Sequence, residues 1–259
     1  MSTAPGYPEG YQFAEGPLGS IIDARVTDVF QKWGFVIMRG AYDNDAQWDT
    51  FMGLFRASLL DELHDFELEA ELGPDLEITV IEDRAVLENA RKDAVRPRFL
   101  RWVDARSVER DGEGADAPNL VEDLPRFKYC VYVDQVCLNS LSVSPVDGTP
   151  GAPWCLKEGQ IIVIDATGAE SYEPSAEGGY EPVEGNASFN VGWAYFDIHG
   201  LTEMYAELCD NSGNEMWYAS YTGNRPYKQP EFDPRSGRPL SEVPQGVSYG
   251  RRVRGNDEV

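Results

Sequence analysis

Apolar positions between Ser20 and Leu63 change period twice, and each change marks a new element. Ile22, Val26, Val29, Phe30 and Trp33 recur at helical spacing after Ser20, a residue suited to an N-cap. Gly34 then stands where a left-handed residue ends a helix. Phe35 to Met38 is a continuous apolar run, the length of a buried strand. After a turn at residues 40–44, Trp48, Phe51, Met52, Phe55, Leu59 and Leu63 return to gaps of three and four. They predict a second helix, capped by Asn44, with Gln47 reaching back as in a capping box. Trp33, Phe35, Trp48, Phe51 and Phe55 are the expected centre of the core.

Further along, Gly73-Pro74 breaks the chain and Leu76 to Ile81 reads as a second strand. Arg84 to Arg91 has helical propensity. Asp93 can cap another helix, with Pro97 in its first turn and Val95, Phe99, Trp102 and Val103 on its buried face. Residues 107–126 are acidic, contain Gly and Pro, and predict an exposed loop. Phe127 to Val133 is the strongest strand, rich in β-branched and aromatic residues, and Asp134 can cap a short helix after it. Gln160 to Ile164 and Val191 to Phe196 add strands, Leu201 to Leu208 a helix, and Met216 to Tyr221 an edge strand. Between them Thr167 to Ser188 has five Glu and no Lys or Arg, the composition of a solvated loop.

From Phe35 to Ile164 the order is β-α-β-(α)-β-α-β, which predicts an α+β fold. The expected sheet is antiparallel or mixed, of about five strands, with a ferredoxin-like order and helices on one face. A parallel doubly wound sheet wants a helix between every pair of strands, and the segment before Ile161 does not supply one. The expected layout is a flexible lead at 1–19, a single domain at 20–222 and an irregular Pro- and Gly-rich tail at 223–259.

Charge narrows the partners. Of the 259 residues, 45 are Asp or Glu and 22 are Lys or Arg, a net charge of −23. Residues 223–259 carry seven basic and five acidic groups, so the rest of the chain carries −25. Asp61 to Asp83 holds ten carboxylates and no Lys or Arg. Such a body repels phosphate backbones and anionic lipid, so neither nucleic acid nor membrane is an expected partner. The tail, with Arg251, Arg252 and Arg254 as its densest basic cluster, is expected to lie along the Asp61–Asp83 face.

No apolar run approaches the ~20 residues of a membrane span, and no Lys or Arg precedes Arg25. A secretory signal is therefore not expected, and the location read from the sequence is cytoplasmic, with the nucleus as the alternative. Cys130, Cys137, Cys155 and Cys209 show no C-x-x-C spacing and are expected as reduced, buried thiols. The sequon Asn186-Ala187-Ser188 then meets no glycosylating compartment.

Trp33 to Ile37 with Arg39 and Tyr42, Trp48 with Phe51-Met52, Phe99, Trp102, Val103, Tyr129 to Asp134, and Ile161 to Asp165 carry a resemblance. Over residues 20–210 the chain resembles a large group of uncharacterised proteins from ascomycete fungi. The resemblance implies a fungal source and a cytosolic habit. It rests on core positions and carries over no functional residue.

Chemistry in the sequence is sparse. With only His64 and His199, a three-His zinc site is excluded, and the H-x-D spacing of a two-His-one-carboxylate iron site is missing. The densest group is Asp197, His199 and Glu203, just past a strand. His199 held by a carboxylate can act as a general base near neutral pH. The simpler reading has Asp197 and Thr202 capping the next helix while Gly200 makes the turn. Cys137 near a helix N-terminus is either a nucleophile or, more simply, a buried thiol. The aromatic strand at 127–133 reads as core rather than as an RNA platform, since it lacks the glycines of those motifs. The run 61–83 lacks EF-hand spacing and reads as a solvated face.

No G-x-S-x-G, P-loop or dinucleotide-binding glycine pattern occurs, and no cofactor is expected. Two function classes follow. The first is a binding or interaction module for a protein or small molecule. The alternative is a small cofactor-free enzyme of fungal secondary metabolism, with Asp197, His199 and Glu203 as its acid-base group.

Overall fold

The computed structural model describes residues 7–27, 30–117, 120, 124–141, 159–166, 184–185 and 191–209, and the backbone of 142–145, 154–158, 232–233 and 238–239. Its fold is α+β, built on a mixed five-stranded sheet. In chain order come α1 (Gly19–Thr27), β1 (Val36–Arg39), α2 (Asp45–Asp65), α3 (Glu69–Leu72), β2 (Thr79–Ile81), α4 (Arg84–Leu87), α5 (Lys92–Asp104) and α6 (Val108–Asp111). There follow α7 (Pro125–Lys128), β3 (Tyr129–Val133), α8 (Gln135–Asn139), β4 (Ser142–Pro145), β5 (Trp154–Glu158), β6 (Gln160–Asp165), β7 (Trp193–Asp197) and α9 (Leu201–Cys209).

The main sheet runs β2-β1-β3-β6-β7. β1 is parallel to both β2 and β3, while β3–β6 and β6–β7 are antiparallel. β4 and β5 form a separate hairpin, and Phe232–Asp233 pairs with Arg238–Pro239. The ferredoxin-like order is therefore corrected. Helices sit in both of the first two connections, α2 after β1 and α4–α5 after β2, and each returns the chain to the same end of the sheet.

Helices on one face is corrected with it. Two right-handed crossovers that leave β1 and pass back over it must lie on opposite faces. Phe35 packs edge-on against Phe55 of α2 and Tyr205 of α9, at 5.7 and 5.3 Å between ring centroids. On the other face Tyr132 donates its hydroxyl to the carbonyls of Leu87 and Ala90, just before α5.

α2 follows the predicted stripe: Trp48, Phe51, Met52, Phe55, Leu59 and Leu63 are all buried, as are Trp33 and Phe35. Trp48 stacks on Phe51, and Phe51 on Phe55. Asn44 caps the helix by accepting from the Gln47 N–H at 3.1 Å. The Gln47 side chain does not reach back. It donates instead to Leu138 O at 3.0 Å and ties α2 to α8.

Other boundaries move for identifiable reasons. α1 ends at Thr27, and Ser20 lies inside it, donating to Ala206 O of α9 instead of capping. Val26 is exposed, because α1 turns Leu18 and Ile21 inward. Part of the expected flexible lead is ordered: Tyr7, Tyr11 and Phe13 cluster, and Tyr11 donates to Asp23 at 2.7 Å. Asp93 sits within the first turn of α5, paired with Arg91, and Pro97 falls inside the helix. The stretch 107–126 is not simply an exposed loop, since Ala115, Leu120 and Leu124 are buried and Ser107 caps α6. Gly34 has φ +110°, but it serves a strand approach rather than a helix end. A Cβ there would stand 2.6 Å from Glu77 O, so only glycine lets residues 33–35 run beside 76–77. The expected strand at 216–221, the loop at 167–183 and most of the tail lie outside the described residues.

Candidate functional site

Asp197, His199 and Glu203 occupy the turn from β7 into α9, which Gly200 makes at φ +79°. Asp197 accepts a hydrogen bond from the Gln160 side chain on β6. His199 and Glu203 are exposed. The cap of α9 comes from neither Asp197 nor Thr202. Glu62 of α2 accepts from the backbone N–H groups of Gly200, Leu201 and Thr202 at 2.8, 3.0 and 2.7 Å. A carboxylate on three N–H groups at a helix N-terminus is a charge-assisted cap. It leaves the turn as a joint between α2 and α9, reinforced by Ser58 donating to Ile198 O at 2.7 Å.

His64, at the end of α2, pairs with Glu69 at 3.1 Å, and that hydrogen bond holds its pKa above the ordinary imidazole value. Cys130 and Cys137 are buried and Cys209 is half-buried. Burial pushes the Cys137 thiol well up, which disfavours the thiolate a nucleophile needs. Among the described residues no group of three His, Cys, Asp or Glu can hold a metal ion. No helix among them is long and apolar enough to cross a membrane.

The carboxyl ends of β1 and β3 are where an open sheet commonly places a ligand. Sequence reading passed over the charges gathered there. Arg39 is buried and pairs with Asp45 and with Glu82 at 3.0 Å, while its guanidinium lies over the Tyr42 and Trp48 rings. Lys92, only 8% exposed, reaches Glu184 at 2.7 Å and Asp134 at 3.6 Å, above the Trp193 ring. Burial opposes the Lys92 charge, but Asp134 and Glu184 outweigh it and hold its pKa above the ordinary lysine value. Asp134 also caps α8 through the Cys137 N–H, as its position after the strand predicts. Both buried cations are thus matched by the chain's own carboxylates.

The edge of the sheet is different. Thr79 N–H donates to Phe35 O of β1 at 3.0 Å, and Glu77 N–H to Trp33 O at 2.8 Å. In a parallel ladder alternate residues bond to the neighbour, so Ile78 and Val80 turn their N–H and C=O groups away from β1. Among the described residues nothing hydrogen-bonds to those four groups. Val80 pairs in register with Ile37, so the side chains of Ile78 and Val80 share the α2 face of the sheet.

There, Arg56 and Leu60 of α2, Gly73, Leu76 and Ile78 line a cleft of about 230 Å³. It lies below the ~300–1,000 Å³ typical of small-molecule sites and suits a single side chain. Leu60 is 49% exposed. It is the one residue whose sequence position gave a signal, an apolar side chain one step off the buried stripe of α2. Searches against protein-family models, curated proteins and solved structures find no match for the chain.

Proposed function

We propose that the protein is a non-catalytic binding module that takes an extended peptide onto the outer edge of β2. The carrying observation is the conjunction at that edge: unbonded N–H and C=O groups on Ile78 and Val80 beside an apolar cleft lined by Leu60, Leu76 and Ile78. Strand addition uses those two features. Main-chain hydrogen bonds give affinity, and a pocket for one side chain gives selectivity. An enzyme built on Asp197, His199 and Glu203 has less support, because two of the three stand at the surface and the third is held by Gln160.

The test is an amide NMR titration with a library of extended peptides about eight residues long, a length that spans a strand. The reading requires shifts at Ile78, Val80 and Leu60 that saturate. Saturable shifts around His199 and Glu203 with none at β2 would replace it with the alternative.

A further inference from the structure

The two sides of the cleft, Leu60 and Gly73, are joined by residues 61–72, which carry six carboxylates and no Lys or Arg. Glu62 is turned inward to cap α9, and Glu69 pairs with His64. Asp61, Asp65, Glu67 and Glu71 are exposed, and none has a cationic partner among the described residues. A peptide on this edge therefore meets a strongly negative rim, with Arg56 as the single cation lining the cleft.

The chain itself carries a segment of the matching chemistry. Pro recurs from 226 to 244, and a proline cannot donate to a ladder, but residues 245–259 contain none. Within them Val247, Tyr249 and Val253 stand at even spacing, the period that puts side chains on one side of a strand. Arg251, Arg252 and Arg254 surround Val253. Resting on the reading of β2 as a docking edge, we propose that residues 247–254 of this chain add as a strand to β2. Val253 enters the cleft and the arginines meet Asp61, Asp65, Glu67 and Glu71. Any other peptide must then compete with a tethered occupant, present at an effective concentration of millimolar order. The site is regulated by its own chain.

Amide hydrogen exchange on the full chain tests this. At low salt the Ile78 and Val80 amides are expected to be protected. Replacing Arg251, Arg252 and Arg254 together with Glu should speed their exchange about tenfold, since several exposed ion pairs of modest strength are lost. About 0.5 M NaCl, which shortens screening to a few ångströms, should do the same. Thr79 and Ile81, bonded to β1, should not change in either case. A second variant, Arg56→Glu, should slow exchange at Ile78 and Val80 by removing the one opposing charge.

Exchange at Ile78 and Val80 that is equally fast in wild type and triple variant overturns the proposal. So does protection that grows with protein concentration, which would make the occupant a second copy. If the edge is unprotected in the full chain yet a library peptide protects it, the occupant is wrong and the docking edge stands. If no peptide protects it, both fall.

Discussion

Arg126 donates to Glu77 from behind the edge of the sheet, at 2.8 Å to its carbonyl and 2.7 Å to Oε1. The guanidinium is 1% exposed and also reaches Thr79 Oγ1 at 2.6 Å. One buried cation therefore fixes the approach to β2 and its first residue from the α5 side. The opposite edge of the same residues is left unbonded. An edge held this way is preorganised, so a docking strand does not have to order it.

Glu77→Gln should destabilise the protein by about 2–3 kcal/mol, because it leaves a buried guanidinium without its charged partner. Burial by itself would raise the Glu77 pKa, but Lys32 and Arg126 overcome it and hold the carboxyl below the ordinary glutamate value. A lowered folded-state pKa gives stability that is present above the unfolded value and lost as pH falls through the folded one. Denaturant melts should therefore show the gap between wild type and Glu77→Gln closing as pH drops below the glutamate range. A gap that does not depend on pH would contradict this account.

Phe51 lies at the centre of the α2 stripe, fully buried between Trp48 and Phe55. Phe51→Ala should cost about 3–5 kcal/mol in denaturant melts. A loss under about 1 kcal/mol, the scale of a surface substitution, would mean that this face is not packed as described.

The Glu62 cap joins α2 to α9 across the sheet's end. Glu62→Ala should cost about 1–2 kcal/mol, as for other helix caps. Hydrogen exchange at Gly200, Leu201 and Thr202 should rise selectively, with α5 unaffected. Unchanged exchange at those three amides would show that water replaces the carboxylate without loss.

A body with net charge −23 should be stabilised by screening. The melting temperature is expected to rise between about 10 and about 300 mM NaCl, where the Debye length falls from about 30 to about 6 Å. A flat or falling profile would indicate that internal pairs such as Arg126–Glu77 and Lys92–Glu184 outweigh the repulsion.

The core was legible because it is periodic. The α2 stripe, the 35–38 run and the strand before Asp134 each bury what their spacing says they bury. Strand direction was not legible, because it depends on which face each crossover takes, and a linear pattern of apolar residues does not record that. The acidic run 61–83 read as a plain solvated face, yet within it Glu62, Glu69 and Glu77 each have a defined partner. Only folding brings Glu62 to the start of α9 and Arg126 to Glu77, across 138 and 49 residues of chain. Leu60 stood out as an apolar residue off the stripe, but its cleft exists only once β2 lies beside α2.

Val80→Pro tests the central claim most directly. The Val80 N–H points away from β1, so the substitution removes a donor from the free edge while leaving the β1 ladder its bonds. With Val80→Ala as the control for the lost side chain, the peptide that binds tightest in the titration should bind Val80→Pro at least about tenfold more weakly, with folding retained. Equal affinity for Val80→Pro and Val80→Ala, with both folded, would contradict a docking site on the edge of β2.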